Sequence, residues 1–310
     1  MNTAKIISVN ISEKKGTVKH PVDAIELSSN GIASDAHSGD WSRQVSLLGL
    51  ESITRYEKEA GRKIAPGEFA ENITTGGLEL WKSNPLDRFI CGEVELEVTQ
   101  IGKQCHGKSC NIFKEVGSCV MPKEGIFTRV IHQGKLKPGD LLEYHPKMYR
   151  ILVITLSDRA SAGEYEDRSG EKIREMIREF FTARNMNFFI HDSLIPDDRH
   201  KLQELLEKAK DELVDLVFTT GGTGIGPRDF TPDVVRPMLD KEIPGIMEMI
   251  RIRYGNEKPN ALLSRSIAGV MGKSLVFCLP GSVNAVTEYM TEILRSLTHM
   301  VWMLHGLDSH

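Results

Sequence analysis

Residues 219–235, TTGGTGIGPRDFTPDVV, decide the fold of the second half of the chain. The apolar run from Leu213 to Phe218 comes before them and predicts a buried strand, whereas the triplet TPD at 231–233 is a typical helix start. The predicted order is therefore strand, glycine loop, helix. In a parallel sheet this order places the loop at the carboxyl end of a strand, where open α/β sheets bind ligands.

The loop has the composition of a phosphate-binding segment. Glycine lacks the Cβ atom that keeps a ligand away from the backbone, so successive N–H groups can turn toward one anion. A helix that starts directly after the loop would add the positive end of its dipole. We therefore expect a phosphate cradle here. Its glycines are Gly221, Gly222, Gly224 and Gly226.

Asp229 lies inside this loop, which is unfavourable for a simple phosphate pocket. A carboxylate about 4 Å from a phosphate charge is repelled by roughly 4 kcal/mol at an effective dielectric constant near 20. A bound Mg²⁺ would offset the repulsion and polarise the phosphate, so the pattern favours phosphoryl or nucleotidyl transfer over passive binding. The alternative is that Asp229 is only a turn residue, and that Asp233 is only a carboxylate in the first helical turn. We adopt this structural interpretation for Asp233.

Residues 148–310 alternate apolar strands with amphipathic helices, which predicts an α/β doubly wound domain with a mostly parallel sheet. Each predicted strand ends in a polar or glycine-bearing segment, and the carboxyl ends of parallel strands share one edge. Asp197 follows one of these strands and would stand opposite Asp229, where the pair would position Mg²⁺ or accept a proton. An equally good interpretation places Asp197 in the N-cap region of the next helix.

Residues 1–147 consist of short apolar stretches separated by glycine and proline, which predicts a mainly-β, barrel-like domain. Segment 93–101 alternates apolar residues with glutamates, the pattern of a half-buried antiparallel strand. Residues 47–60 alone in this half show a convincing helical period.

The cysteines of the first half are concentrated in residues 102–119, GKQCHGKSCNIFKEVGSC. Basic side chains surround Cys105, which favours a nucleophilic thiolate that carries sulfur or binds a soft metal. Residues 102–109 also match a P-loop pattern, but we reject that interpretation because Gly117 stops any helix of several turns. Zinc is a weaker alternative. Its ligands would be Cys105, His106, Cys110 and Cys119 or His132.

Composition and charge restrict the function classes. The net charge of −4 excludes a globally basic nucleic-acid binder. The sequence contains no apolar run of the length of a membrane helix and no signal-peptide pattern, so we expect neither a nucleic acid nor a membrane as partner. Five cysteines, an odd number without an export signal, are expected to be reduced. We therefore expect a cytoplasmic protein.

The glycine loop resembles the signature loop of the molybdopterin adenylyltransferase family, which transfers AMP from ATP to the terminal phosphate of molybdopterin. Four more motifs carry the resemblance: SDRAS at 157–161, LIPDD at 194–198, LSRS at 263–266 and LPGS at 279–282. The resemblance implies that Asp197 and Asp229 are catalytic and position Mg²⁺, with ATP and molybdopterin as substrates. It also implies a homo-oligomer, a trimer, and molybdenum cofactor assembly proteins as partners. Further binding residues that it implies are Ser157, Arg159, Gly221, Gly222, Thr223, Gly224, Thr231, Ser264, Pro280, Gly281 and Ser282.

The first half resembles the MOSC family, the domain at the C-terminus of molybdenum cofactor sulfurases. The motifs that carry this resemblance are DAHSGDW at 35–41, RQVS at 43–46, PGEF at 66–69 and GIF at 125–127. It implies a β-rich domain in which one cysteine carries sulfur or the cofactor. Cys105 is the first candidate, and Cys110 and Cys119 are the alternatives. The resemblance also implies a polar pocket that is formed by His37, Asp40 and Arg43.

The sequence therefore predicts a two-domain nucleotidyltransferase of molybdenum cofactor biosynthesis. Its MOSC-like domain would act as a sulfur or cofactor carrier or as a docking module. The alternative is a non-catalytic scaffold that binds molybdopterin or molybdate without turnover. Release of pyrophosphate from ATP would distinguish the enzyme from the scaffold.

Overall fold

The chain forms two compact units. In the computed structural model, residues 2–103 and 119–307 are described. One unit holds the described residues up to Lys147 together with Leu307, and the other runs from Met148 to Gly306. Each unit encloses a hydrophobic core of its own.

The first unit is a closed β-barrel of seven strands. Its described strands are β1 (Thr3–Ile11), β2 (His20–Val22), β3 (Ile25–Ser28), β4 (Gly31–Ile32), β5 (Val45–Gly49), β6 (Ile73–Gly76), β7 (Arg88–Cys91), β8 (Val94–Ile101), β9 (Ile126–His132), β10 (Gly134–Leu136) and β11 (Leu141–His145). The barrel order is β11, β7, β8, β9, β5, β6, β1, and β1 pairs back onto β11 to close it. The expected barrel is therefore confirmed.

The described helices of this unit are α1 (Leu50–Ala60), α2 (Met121–Glu124) and a 3-10 helix, Leu80–Lys82. The helix predicted over residues 47–60 starts later than expected, because residues 47–49 belong to β5 and pair with β6, and Leu47 also pairs with β9. The apolar pattern over those three residues comes from a barrel strand that is buried along its whole length.

Strand β8 differs from its prediction on one face. Its apolar residues line the barrel core as expected, but Glu95 and Glu97 are only 8% and 4% exposed. Arginines on the neighbouring strands cover them: Arg88 Nη1 lies 2.5 Å from Glu95 Oε1, and Arg129 Nε lies 2.9 Å from Glu97 Oε1. The strand was expected to be half-buried, but most of it is buried on both faces, since ion pairs from β7 and β9 shield these carboxylates.

The second unit is an α/β domain with a six-stranded sheet. Its strands are β12 (Met148–Leu156), β13 (Asn187–Ile195), β14 (Leu216–Thr220), β15 (Lys241–Glu242), β16 (Ala268–Met271) and β17 (Ser274–Leu279). The order is β13, β12, β14, β17, β16, β15. The first four strands are parallel, and β16 and β15 run antiparallel. The parallel strands therefore bring their carboxyl ends to one edge.

Helices cover both faces of this sheet. They are α3 (Asp158–Ser161), α4 (Arg168–Ala183), α5 (Arg199–Asp211), α6 (Thr231–Val235), α7 (Pro244–Gly255) and α8 (Val283–Leu304), with 3-10 helices at Arg236–Met238 and Pro259–Leu263. On one face Tyr149 packs against Phe181 of α4, with ring centroids 5.1 Å apart. On the other face Leu152 shares a core cluster with Leu206 of α5 and Val235 of α6. None of the helices in residues 2–103 and 119–307 has the length and apolar character needed to cross a membrane.

Candidate functional site

The segments that the sequence singled out meet at the carboxyl edge of the second sheet. Ser157 follows β12, Asp197 follows β13, Gly221 follows β14, and Pro280 follows β17. Two of these segments are in direct contact, because a Cβ atom at Gly281 would lie 3.4 Å from the Cα atom of Gly221. The parallel topology therefore assembles one continuous site region from residues that are far apart in sequence.

The first two glycines of the loop have backbone conformations that favour glycine. Gly221 has φ of +105° and Gly222 has φ of +64°. A Cβ atom on Gly221 would lie 2.4 Å from the carbonyl oxygen of Leu156, and one on Gly222 would lie 2.5 Å from Thr231 Oγ1. Both conformation and space therefore restrict these positions to glycine.

Thr231 holds the loop from within, and Thr223 is buried inside it. Thr231 is fully buried, its Oγ1 donates to the carbonyl of Gly221 at 2.8 Å, and its N–H donates to the carbonyl of Gly222 at 3.0 Å. Thr223 is 4% exposed. Both side chains are buried, and the hydroxyl of Thr231 braces the backbone of the loop.

Some of the loop N–H groups are already used within the fold. Gly221 donates to the carbonyl of Leu279 at 3.1 Å, and Gly226 donates to Asp229 Oδ2 at 2.8 Å. Within the described residues, the N–H groups of Gly222, Thr223 and Gly224 make no hydrogen bond. Two of the four glycine N–H groups are therefore already used, and the available donors lie in the middle of the loop.

The helix behind the loop starts where the sequence predicts and is short. Helix α6 has five residues and continues as the 3-10 helix Arg236–Met238. Pro237 accounts for this, because a proline inside a helix removes a hydrogen bond and clashes with the preceding turn. A five-residue helix has a small dipole. The long helix that starts at this edge is α8, whose cap Ser282 accepts the N–H of Ala285 at 3.3 Å.

The Asp229 carboxylate folds back onto the loop that carries it. Its Oδ2 accepts the N–H of Gly226, and its own N–H donates to the Gly226 carbonyl at 3.0 Å. A Cβ atom at Gly224 would lie 2.7 Å from the same oxygen, so glycine makes room for the carboxylate. Asp229 thus has the turn geometry that the sequence offered as an alternative. This geometry is compatible with ligand binding, because a carboxylate accepts more than one bond.

Three carboxylates and one guanidinium interact at this edge. The N–H of Asp197 donates to Asp158 Oδ1 at 2.9 Å, and Arg228 Nη1 lies 3.2 Å from Asp158 Oδ2. Partial burial raises the pKa of Asp197, and the charges of Asp158 and Asp229 raise it further against the effect of Arg228. Asp197 and Asp229 are thus within electrostatic reach of each other. Sequence reasoning did not select Asp158 or Arg228, although each lies inside a motif that it had singled out.

A cleft of about 510 Å³ opens where β12 ends and where α4 and α8 begin. Sequence reasoning also missed Tyr165, which lines this cleft. The Tyr165 hydroxyl lies 2.9 Å from Ser157 Oγ, and its ring lies 5.0 Å from the guanidinium of Arg159. The cleft is wide enough for part of a small organic ligand. The predicted residues in its lining are Ser157, Arg159, Gly281 and Ser282.

Arg265 holds the glycine loop by bonds to its carbonyl groups. The sequence motif had indicated its neighbour Ser264 as a binding residue, but not Arg265. Its guanidinium donates to the carbonyl oxygens of Gly224 and Asp229, at 2.8 and 2.5 Å. It also grips the Asp233 carboxylate at 2.8 and 3.0 Å, and this bond lowers the pKa of Asp233. Ser264 Oγ lies 2.8 Å from the hydroxyl of Ser266. The signal for Arg265 was its place inside the LSRS motif.

The structure describes only part of the predicted site in the barrel unit. Cys105 and Cys110 lie outside the described residues, and Cys119 is half-buried. Asp40, part of the expected polar pocket, is exposed, whereas His37 Nδ1 lies 3.3 Å from the buried Nζ of Lys19. The local polar cluster therefore contains Lys19, which the sequence motifs did not indicate.

The donor set at the sheet edge suits a magnesium ion that arrives with a nucleotide. Among residues 2–103 and 119–307, no three His, Cys, Asp or Glu side chains are arranged to hold a metal by themselves. Mg²⁺ usually takes one or two protein carboxylates and completes its shell with phosphate oxygens and water. Asp197 and Asp229 fit that requirement in number and chemical type.

Comparison with protein families assigns each unit. Residues 34–143 match the MOSC domain, and residues 152–299 match a family described as a probable molybdopterin binding domain. The fusion of these two domains, which the motifs implied, is confirmed.

Individual relatives match about half of this chain. A molybdopterin adenylyltransferase of Helicobacter pylori strain J99 is 37% identical over 155 residues, which are 50% of this chain and 86% of that protein. A molybdenum cofactor biosynthesis protein B of Bacillus cereus is 37% identical over 164 residues, 52% of this chain and 93% of that protein. The crystal structure of a molybdopterin biosynthesis enzyme from Thermus thermophilus is 35% identical, covers 51% of this chain and 98% of its own, and has a TM-score of 0.46.

Proposed function

The chain belongs to the molybdopterin adenylyltransferase family, and on this premise we propose that its α/β unit transfers AMP from ATP to molybdopterin and releases pyrophosphate. One observation carries the proposal. A loop with unbonded N–H groups, two interacting aspartates and the start of a 22-residue helix converge at one edge of the sheet. This combination suits a reaction between two phosphate groups, because it provides both donors for negative charge and ligands for a metal ion.

The glycine loop binds the phosphates of ATP. The N–H groups of Gly222, Thr223 and Gly224 donate to phosphate oxygens, while Thr231 keeps the loop in shape from beneath. Donors that are fixed before the reaction stabilise the charge that develops in the transition state without having to reorganise. Positioning is therefore the main contribution of this loop to the rate.

Asp197 and Asp229 hold the Mg²⁺ that accompanies ATP. When bound, such an ion neutralises phosphate charge and polarises the phosphorus centre. The raised pKa of Asp197 fits this role, because the negative charges of Asp158 and Asp229 that raise it also favour a cation. Asp229 is fixed for the task by its hydrogen bond to Gly226.

Molybdopterin binds in the cleft beside the loop. Pro280, Gly281 and Ser282 lead into α8, whose first N–H groups and dipole attract the terminal phosphate of the pterin. Arg159, 73% exposed, supplies a positive charge at the rim. Gly281 lies against Gly221, so this phosphate approaches the phosphates held by the glycine loop.

The MOSC barrel acts on the same cofactor as a sulfur or cofactor carrier or as a docking module. Cys105 is the first candidate for the carrier, with Cys110 and Cys119 as alternatives. We place the protein in the cytoplasm, where such thiols stay reduced. The enzyme works as a homo-oligomer, a trimer in the simplest case, together with other molybdenum cofactor assembly proteins.

Incubation of the full chain with ATP, Mg²⁺ and molybdopterin tests the proposal. We expect pyrophosphate to accumulate, and we expect Asp197→Asn and Asp229→Asn each to slow its formation about a hundredfold, the scale of losing one transition-state contact. Asparagine keeps an oxygen that can accept the Gly226 N–H, so the loop stays intact in the second variant. Stoichiometric binding of molybdopterin without pyrophosphate would instead identify a scaffold.

A further inference from the structure

We propose that Arg265 is a positioning residue for the adenylyl transfer: it holds the carbonyl groups of the glycine loop on one side and thereby aims the loop N–H groups at the phosphates of ATP. The inference rests on the proposed function of the α/β unit. The guanidinium of Arg265 is occupied by acceptors of the protein itself. It acts through the loop, about 40 residues earlier in the chain, to which it is bonded at several points.

The direction of the N–H groups follows from peptide geometry. A peptide unit is planar and trans, so the carbonyl of one residue and the N–H of the next point in opposite directions. The N–H of Arg265 donates to the carbonyl of Thr223 at 2.8 Å, and its Nε donates to the carbonyl of Gly224 at 2.8 Å. The N–H groups of Gly224 and Ile225 therefore point away from Arg265. In the described part of the chain neither of them makes a hydrogen bond.

Arg265 also reduces the negative charge beside the loop. Its guanidinium binds both oxygens of Asp233, at 2.8 and 3.0 Å, and its Nη2 reaches the carbonyl of Asp229 at 2.5 Å. The first contact neutralises one of the two acids that would repel a phosphate. The second fixes the backbone of the other acid. A phosphate loop with two nearby aspartates is thus made compatible with an anionic ligand.

This arrangement requires the fork of an arginine. A guanidinium presents five N–H donors in one plane, whereas the ammonium of lysine is a single point charge on a flexible stem. Arg265 uses the fork on three acceptors at once: two carbonyls and one carboxylate. Arg265→Lys keeps the charge beside Asp233 and the main-chain bond to Thr223, but it removes the guanidinium bonds to the carbonyls of Gly224 and Asp229. This variant therefore separates the effect of charge from that of carbonyl orientation.

Calorimetric titration of the full chain with ATP and Mg²⁺ measures the orientation effect without turnover. We expect Arg265→Lys to bind ATP about tenfold more weakly, the cost of one charge-assisted hydrogen bond, and to raise KM for ATP to the same extent. Asp233→Asn keeps the carbonyl contacts and should bind ATP almost as wild type does. Arg236→Lys is the matched control, because Arg236 pairs with Glu242 at 3.2 Å outside the loop.

Several outcomes would overturn the role of Arg265. Arg265→Lys protein that binds ATP as tightly as wild type would do so, and so would an equal loss in Asp233→Asn, which would reduce the arginine to a counter-ion. Should Arg265→Lys fail to fold, NMR of the wild type decides: adding inorganic tripolyphosphate must shift the amide signals of Gly224 and Ile225. Wild-type protein that binds ATP and forms no pyrophosphate would contradict the proposed function, while the affinities of the variants would still report on Arg265.

Discussion

The two units place aspartates in opposite environments, one buried and one exposed. In the barrel, Asp35 and its partner Lys19 have side chains that are 1% exposed, and their charged atoms are 2.5 Å apart. At the edge of the α/β sheet, Asp158 is 47% exposed and pairs with Arg228, which is 78% exposed. The first pair is sealed inside the fold, and the second stands where ions and ligands arrive.

The partners of the buried pair explain why it can stay charged. Asp35 accepts the N–H groups of Ser12 and His37, at 3.0 and 2.9 Å, in addition to Lys19. Burial opposes the ionisation of Asp35, but the bonds from His37 and Lys19 outweigh it and hold its pKa well below the ordinary range. Burial also lowers the pKa of Lys19, against the effect of its bond to Asp35. A buried carboxylate whose oxygens already accept bonds from several internal donors is poorly suited to bind a ligand.

The sheet edge shows the reverse balance. Asp197 has a raised pKa because burial and two neighbouring carboxylates disfavour its charge. The nearby charge of Arg228 does not offset this rise, so Asp197 gains from a further cation. The partners of an aspartate therefore decide whether its charge stabilises the fold or is available to a ligand.

The sharpest test of this difference is Lys19→Met. It leaves the charge of Asp35 buried without its counter-ion, so we expect the barrel to lose about 3–5 kcal/mol of stability, the usual cost of breaking a buried pair from one side. Urea unfolding, followed by circular dichroism of the full chain, measures the loss. Lys63→Met is the matched control, because Lys63 is 93% exposed and pairs with Glu57 at the surface. Equal curves for both variants would mean that burial adds nothing to the Lys19 pair.

Gly221→Ala tests whether one residue of the sheet edge is needed both for stability and for activity. The left-handed backbone, with φ of +105°, and a contact of 2.4 Å with the Leu156 carbonyl should together cost about 2–4 kcal/mol and abolish pyrophosphate formation. Gly163→Ala has a similar φ of +78° but open space around the new methyl group. It should cost only the backbone strain, roughly 1–2 kcal/mol. If thermal unfolding shows the same loss for both, the close approach to β12 is unimportant.

The sequence predicted features that depend on local pattern. Alternating apolar residues indicated the barrel strands, and the glycine loop and the two aspartates were correctly expected to follow parallel strands. What it missed depends on distant partners. Glu95 and Glu97 are covered by Arg88 and Arg129, which come from neighbouring strands. In the same way, the LSRS motif singles out the segment of Arg265 but does not predict its bonds to a loop about 40 positions earlier.

Thr231→Val probes the internal bracing of the loop. Valine has nearly the same shape, but it leaves the carbonyl of Gly221 without the 2.8 Å bond that the buried hydroxyl donates. An unsatisfied buried acceptor costs about 1–3 kcal/mol, and we expect that loss in thermal unfolding of the full chain. Thr287→Val is the control, because Thr287 bonds the carbonyl of Val283 one turn earlier within α8, where the helix itself offers a second donor. A larger loss at Thr287 would contradict the bracing role.

Asp158→Asn gives the smallest expected effect and tests the electrostatics of the edge directly. Asp197 must be ionised to hold Mg²⁺, so activity should fall as the pH drops through its raised pKa. The charge of Asp158 contributes to that rise, and Arg228 opposes it. Removing the charge of Asp158 lowers the pKa of Asp197, so the acid limb of the pyrophosphate-formation profile should move to lower pH. Asparagine retains an oxygen for the Asp197 N–H, so the backbone contact survives.

The control is Glu207→Gln, at an exposed position of α5, which should leave the acid limb of the pH profile in place. If the acid limb stays in place in Asp158→Asn, the ionisation of Asp197 does not limit the reaction. The difference between the buried carboxylate of Asp35 and the available carboxylate of Asp197 would then have a cause other than charge.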